Sequence, residues 1–402
     1  MEYLFVTVLI ISGIAFNNTW LLLAGVVLIL IVFFWRLYQF LQRRRSSVTV
    51  QILSLTRSPK NPILLPIREH DWESEAVFNP AALCINGRVH LLYRALGSDG
   101  ISRIGYASSA DGINFDERLP NPIFATEQHC APIPLTPKKF RNPFTSPARV
   151  MYDREHNKSG GGWGGFEDPR AVVIEDNVHM TCSAFNGWSS VRMTLSSLPT
   201  SNFLAQLWSW STPTYLSPDG GIHKNWVLFP EKIGGKYAIL HSISPRIQIE
   251  YIDKLPQEGV DGLPIKSIYH PRAKDRQEHW DSWVRGAGPP PLRTNLGWLL
   301  FYHAIESSEP ERYKLGVMLL DINDPTKILY RSARPILSPD MQYENDWKYG
   351  IIYVTGAIIK DGTLFIYYGG GDKTISVATA PLNDFLEELT HNDNLILTAR
   401  TV

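Results

Sequence analysis

The sequence predicts an all-β fold, a five-bladed β-propeller preceded by an N-terminal transmembrane segment or helical hairpin. Three observations lead there. The 402 residues include 28 Pro, 29 Gly, 12 Trp and 17 Tyr, too many breakers and aromatics for a helical bundle and the composition of short strands joined by tight turns. A strand–turn–strand pattern recurs five times along the chain. From Tyr3 to Trp35 no residue is charged, and Asn17-Asn18-Thr19 interrupt an otherwise largely apolar run.

At about 1.5 Å of rise per residue and about 30 Å of bilayer core, Leu21 to Trp35 does most of the spanning if the segment is one helix. Read as two helices, 3–16 and 19–35 are each short. Both readings stay open. Glu2 precedes the apolar run while Arg36, Arg43, Arg44 and Arg45 follow it, the reverse of a secretory leader, so the segment is expected to be kept. The arginine run then places everything after it on the cytoplasmic side. Three cysteines, Cys84, Cys130 and Cys182, with no CxxC pair and no zinc spacing, fit a reducing compartment. The domain expectation is a membrane anchor over 1–46 and a propeller over 47–402. Thirty-nine Lys plus Arg balance 39 Asp plus Glu, which removes the basic excess a nucleic-acid binder depends on. No ligand cluster calls for a metal, and no organic cofactor is expected.

The five repeats read NPAALCI-NG-RVHLLYR from Asn79, DPRAVVI-ED-NVHMTCS from Asp168, WVLFPEKI-GG-KYAILHS from Trp226, GPPPLRT-NL-GWLLFYH from Gly288 and VTGAIIK-DG-TLFIYYG from Val354. Asn-Gly, Gly-Gly and Asp-Gly suit two-residue hairpin turns, whose central residues take positive φ. Runs at 102–109, 313–322 and 374–382 supply a third strand after a hairpin, so each unit is a small antiparallel sheet. Five such sheets arranged radially make a propeller.

In a propeller the first strand of each blade lines a central channel, so equivalent positions converge. Asn79 and Asp168 occupy one such position, and the second strands end at Arg94, Ser183, Ser242, His303 and Gly369. An Arg, an Asp and a His meeting at an axis must be solvated, paired or binding something polar. Arg103, Glu167, Arg170, Lys224, Arg285 and Asp372 lie at the same blade edges. Carboxylates and several cations in one bowl suit a polyhydroxylated or anionic ligand, and tryptophans at 163, 188, 226, 280, 283 and 298 offer faces for sugar rings or for blade packing.

These residues resemble glycoside hydrolase family 130, the inverting β-mannoside phosphorylases and β-1,2-mannosidases. The likeness runs from about residue 75 to 385 through an ordered set: Phe78-Asn79-Pro80, Leu92-Tyr93-Arg94-Ala95, Ser102-Arg103-Ile104-Gly105, Ser109-Ala110-Asp111-Gly112, Glu167-Asp168-Pro169-Arg170, Leu228-Phe229-Pro230-Glu231-Lys232, Gly297-Trp298 through His303, and Tyr367-Tyr368-Gly369 with Asp372.

The resemblance implies a five-bladed propeller acting on β-mannosides, with Asp168 as catalytic acid and Asn79, Arg94 and Asp372 holding the mannosyl ring; Arg103 joins them as a substrate-binding candidate. It implies further that the aspartate protonates the leaving oxygen through a sugar hydroxyl while phosphate or water attacks from the opposite face. Lys224, Arg285 and His303 match the family's phosphate-binding positions, with inorganic phosphate as co-substrate. One arginine of that set is replaced by Ser242. Arg246 is a candidate substitute for it, and Glu231 or Asp281 would be the general base if water has replaced phosphate. Phosphorolysis is favoured slightly over hydrolysis, and a catalytically inactive glycan- or protein-binding propeller is the alternative.

Overall fold

The computed structural model describes residues 55–126, 162, 164–185, 191–219, 222–256, 265–268, 276 and 279–391, together with Thr19, Trp20, Val27, Leu30 and Phe34. The membrane segment expected at 3–35, its arginine run, Cys130, Trp163 and Trp188 lie largely or wholly outside these residues. Among the described residues no helix is long and apolar enough to cross a membrane. The chain divides into Met1–Gln51 and Ile52–Val402, and the second unit is all-β.

Among the described residues, twenty strands form five antiparallel groups. Group I holds β2 (Ala76–Ile85), β3 (Arg88–Leu96), β4 (Ile101–Ser109) and β5 (Glu117–Arg118). Group II holds β6 (Gly164–Ile174), β7 (Asn177–Phe185), β8 (Val191–Pro199) and β9 (Thr214–Tyr215). Group III holds β10 (Val227–Leu228), β11 (Tyr237–Ser242) and β12 (Gln248–Ile252). Group IV holds β13 (Trp283–Ala287), β14 (Leu292–Arg293), β15 (Trp298–Ile305), β16 (Lys314–Leu320) and β17 (Ile328–Arg331). Group V holds β18 (Ile352–Lys360), β19 (Thr363–Gly370) and β20 (Thr374–Pro381), and its outer strand is β1 (Thr56–Arg57), the first of the chain. Groups I and II join in one sheet through a short parallel contact, Ile101 with Gly164 and Ser102 with Gly165.

Four of the five expected turns are present, each with both central residues at positive φ: Asn86-Gly87, Glu175-Asp176, Gly234-Gly235 and Asp361-Gly362. The fourth repeat differs. Its turn spans Thr294 to Gly297, closed by the Thr294 N–H on the Gly297 carbonyl, and its first strand is split into β13 and β14 because Pro289, Pro290 and Pro291 offer no N–H to a ladder.

Alternation along one strand shows why the middle strands read as unbroken apolar runs. On β15, Leu299 and Phe301 pack with Ile352, Val354 and Leu364 of group V. Trp298, Leu300 and Tyr302 point the other way, onto Val227 and Leu240 of group III. Both faces are covered, so both must be apolar. The same logic gives Leu92 and Ile104 against Phe166 and Met180 between groups I and II, Val172 and Met193 against Trp226 and Ile239 between II and III, and Val77 and Leu91 against Phe365 and Ile375 between V and I. Five interfaces therefore run I to II to III to IV to V and back to I.

A buried Tyr–carboxylate–Arg cluster recurs in three groups. The Tyr93 hydroxyl donates to Glu73 Oε2 (2.8 Å), which also accepts from Arg118 Nη2 (2.5 Å). Tyr302 donates to Asp281 Oδ2 (2.8 Å), with Arg331 alongside. Tyr368 donates to Glu344 Oε1 (2.9 Å), which accepts from Arg57 Nε (2.8 Å). In each case the acid precedes the innermost strand and the arginine comes from the outermost one, so the cluster ties the two edges of a sheet together. In group V the outer strand is β1, and its cluster ties the first strand of the second unit to its last sheet. Removing one partner of a buried pair strands the other. Glu344→Ala is therefore expected to cost about 3 kcal/mol of stability, read by urea unfolding, whereas Glu231→Gln, which breaks an exposed pair with Arg293, should leave the midpoint almost unmoved.

Candidate active site

The first long strands of the groups do not run straight. In groups I, II and V the pairing register breaks opposite Tyr93, Cys182 and Tyr368, between Phe78 and Ala81, between Glu167 and Arg170, and between Val354 and Gly356. In group IV the break falls one pair farther out, at Arg285. A bulge re-aims a side chain out of the alternation. In groups I and II it is made by Asn79-Pro80 and Asp168-Pro169, with Asn79 at φ 48° and Asp168 at φ 51°. A following proline bars the right-handed helical region, and Asn and Asp are the side chains that best tolerate a positive φ.

The result is a compact buried cluster. Asp168 Oδ1 accepts from Asn79 Nδ2 (2.8 Å) and Arg94 Nη1 (3.1 Å). Arg94 also donates through Nη2 to Glu167 Oε1 (2.9 Å) and through Nε to Ser102 Oγ (3.0 Å), and its guanidinium lies 4.7 Å over the Phe78 ring. Lys224 Nζ donates to the other Glu167 oxygen, Oε2 (3.1 Å). Burial pushes the Asp168 carboxyl up, but Arg94, Lys224, Arg170 and the Asn79 amide together outweigh it and hold the group at about 2. Asp168 is thus ionised in the unliganded site. Asp372 follows three glycines and pairs with Lys348 Nζ (3.0 Å), and its charge is felt by Arg94. Gly369 is required beside it, because a Cβ there would come within 2.2 Å of Asn79 Oδ1.

Ser102 and Arg103 are consecutive on β4 and point to opposite faces, so Ser102 reaches Arg94 while Arg103 pairs with Asp99 through Nη2 (2.8 Å).

Across from the carboxylates stands a group of cations with few anions. Arg170 is buried and donates through Nε to the Gly288 carbonyl (2.7 Å), through Nη1 to the Asp168 carbonyl (2.9 Å) and through Nη2 to Asn225 Oδ1 (2.9 Å). All three acceptors are neutral. Arg285 has no carboxylate partner among the described residues; its guanidinium sits 5.5 Å from the Trp283 ring and 5.4 Å from the Tyr313 ring. Asn225 completes this side, accepting also from the Tyr353 hydroxyl (2.6 Å) and donating to the Arg285 carbonyl (2.9 Å).

His303 is present as expected but is not a cation. Burial, with Arg170 and Arg285 beside it, pushes its imidazole down to about 3. Nε2 accepts the Val354 N–H (2.8 Å) and the ring stacks on Tyr353 at 4.1 Å. The proton therefore rests on Nδ1, which is buried without a partner among the described residues, and His303 is a neutral donor. Lys224 is a cation whose charge is shared with Glu167.

The position of Ser242 holds no cation. Its hydroxyl donates to the Ser244 carbonyl (3.0 Å), and Arg246 beyond it is exposed. Neither alternative base is poised for water activation. Asp281 is fully buried between Arg276, Arg331 and Tyr302, and Glu231 pairs with Arg293 at the surface. Of the tryptophans, Trp226 and Trp298 are buried packing residues, Trp280 stacks on Tyr302, and Trp283 flanks Arg285.

A sequence profile of the family described as β-1,4-mannooligosaccharide phosphorylase matches residues 147–391. The chain is 33% identical over 341 residues to the 1,2-β-oligomannan phosphorylase of Thermoanaerobacter sp. (strain X514), covering 83% of this chain and 99% of that one. The chain belongs to glycoside hydrolase family 130. A second family member of the same organism, β-1,2-mannobiose phosphorylase, is 32% identical over 340 residues, 81% of this chain and 96% of the other. Solved structures agree in fold. The Listeria innocua β-1,2-mannobiose phosphorylase in complex with β-1,2-mannobiose gives a TM-score of 0.58 at 24% identity, over 83% of this chain and 99% of that chain. A glycosyl hydrolase from Bacteroides ovatus gives 0.61 at 24%, over 82% and 94%.

In this family 130 chain the residues that sequence reasoning missed are Asn225, Tyr353 and Lys348. Asn225 precedes β10, Lys348 lies in the loop before β18 and Tyr353 falls within β18, and each takes part through partners 24 to 128 residues away. The one local signal was Asn225, a non-glycine residue at φ 66° immediately before the third repeat.

Proposed function

We propose that this chain is a five-bladed β-propeller that cleaves β-mannosides by phosphorolysis with inversion, Asp168 serving as the acid. The observation that carries the reading is Arg285 together with Arg170: two arginines joined through Asn225, Arg170 donating to the Asp168 carbonyl, whose guanidiniums no described carboxylate pairs with, one held between aromatic faces and the other by neutral oxygens. Such cations keep their full charge for an incoming anion, and a phosphate oxyanion is the ligand that charge-assisted Arg contacts favour. Asn79, Arg94 and Asp372 would hold the mannosyl ring. Phosphate oxygen attacks C1, the C1–O bond breaks, and the leaving oxygen takes a proton from a sugar hydroxyl that is in turn resupplied by Asp168. The products are α-mannose 1-phosphate and the shortened acceptor.

For this role Asp168 has to regain a proton. Phosphate placed against Arg170, Arg285 and Lys224 offsets the positive field that depresses the carboxyl, and the bound sugar removes water from it; both changes favour the protonated acid. A hydrolytic scheme needs a second carboxylate able to activate water, and the placement of Asp281 and Glu231 favours phosphorolysis instead.

Because two relatives are named for β-1,2-linked mannosides, β-1,2-mannobiose and longer β-1,2-oligomannans are the first substrates to try. The full chain in mild detergent, given these substrates with and without inorganic phosphate, is expected to form mannose 1-phosphate only when phosphate is present. Free mannose at equal rates in both reactions would make it a hydrolase, and no product from folded chain would leave a binding module. The uncharged stretch at 3–35 supports a tether that holds the catalytic unit at the cytoplasmic face of a membrane. Its described residues Thr19, Trp20, Val27, Leu30 and Phe34 are helical and exposed.

A further inference from the structure

We propose that Glu167 is a positioning residue that shares Lys224 with phosphate and so limits how tightly phosphate is held opposite Asp168. Glu167 is fully buried, on β6 next to Asp168. Its two oxygens face two different cations. Oε1 takes Arg94 Nη2 at 2.9 Å and Oε2 takes Lys224 Nζ at 3.1 Å. Arg94 cannot neutralise Glu167 alone, because the same guanidinium also serves Asp168 Oδ1. A buried carboxylate left half-compensated is costly, so Lys224 is drawn in.

The two arms of the bridge differ in freedom. Arg94 is 1% exposed and anchored by Ser102 and the Phe78 ring, whereas the Lys224 side chain is 25% exposed. One arm is fixed and the other can move. Lys224 immediately precedes Asn225, which accepts from Arg170 and donates to the Arg285 carbonyl, so an anion bound beside Arg170 and Arg285 meets a lysine already committed in part to Glu167. It binds by taking a share of Nζ. The affinity is lower than an unshared lysine would give, which helps product mannose 1-phosphate leave. A glutamate serving only as a buried structural ion pair would have no such effect on phosphate.

This rests on the phosphorylase reading, and the test separates the two. Glu167→Gln keeps the shape and one acceptor oxygen but turns an amide against one of the cations. In the full chain it is expected to lower the phosphate KM about fivefold, by removing a nearby negative charge, and to lower kcat about 30-fold, by loosening Arg94. Adding Lys224→Met should abolish the tighter phosphate binding while leaving the kcat loss. Phosphate titration by calorimetry on the same proteins reads the affinity without turnover, and circular dichroism confirms that each is folded. A phosphate affinity in Glu167→Gln equal to or weaker than the parent's overturns the proposal. If the parent releases only free mannose, the phosphorylase reading fails by that result alone; calorimetry then still decides for Glu167, and absence of phosphate binding overturns its role as well.

Discussion

Asp168→Asn is expected to lower kcat by about 10³-fold on any β-mannoside the parent cleaves, the middle of the range for loss of one positioned proton donor. The variant should fold. Asn at this position tolerates the positive φ that Asp168 adopts, and its side-chain oxygen can still accept from Asn79 and Arg94. Substrate affinity should change little, since the mannosyl ring is proposed to be held by Asn79, Arg94 and Asp372. A pH series adds a second readout. The Asp168 carboxyl lies at about 2 in the folded chain against an ordinary 3.8, so its ionised form favours the folded state. That contribution is complete above about pH 4 and disappears as pH falls toward 2. Urea midpoints of parent and variant should therefore differ most near neutrality and converge on acidification. Retention of full activity by Asp168→Asn would remove the acid role, whatever the stability data show.

Arg285→Met is expected to raise the phosphate KM by about 30- to 100-fold, the loss of one strong charge-assisted contact, with kcat at saturating phosphate changed far less. Trp283 and Tyr313 flank the guanidinium, and a methionine can occupy the space between the rings, so the effect reports charge and not a cavity. Arg285→Lys should lie between the two, because an ammonium keeps the charge but loses the planar stacking and the paired N–H groups. If the phosphate KM does not move while mannoside KM rises, Arg285 belongs to the sugar side of the site. The comparison with Glu167→Gln is informative, since the two substitutions remove charges of opposite sign and are expected to move the phosphate KM in opposite directions.

Much of the fold could be read from local chemistry. Asn-Gly, Gly-Gly and Asp-Gly mark turns because backbone strain at positive φ is decided within a few residues, and Glu175-Asp176 shows that the repeat pattern identified a turn even without glycine. The fourth repeat departs from expectation where three consecutive prolines deny the ladder its N–H groups. Asn79 and Asp168 were legible as a pair because each precedes proline at the same place in its repeat. The contact of Ser102 with Arg94 was not, since which face of β4 looks toward Arg94 depends on the sheet register.

By itself, the sequence determined the five hairpin units, the apolar runs that demand cover on both faces, and the identity of Asp168, Asn79 and Arg94 as a converging set. Those follow from turn strain, burial and repeat position, each a short-range property. Only the tertiary structure decided that β1 closes group V through Arg57 and Glu344, that His303 is neutral, that Lys224 is shared with Glu167, and that Arg170 and Arg285 stand without carboxylates among the described residues. Charge state and pairing depend on which groups from distant parts of the chain share one low-dielectric space, and no spacing along the chain specifies that.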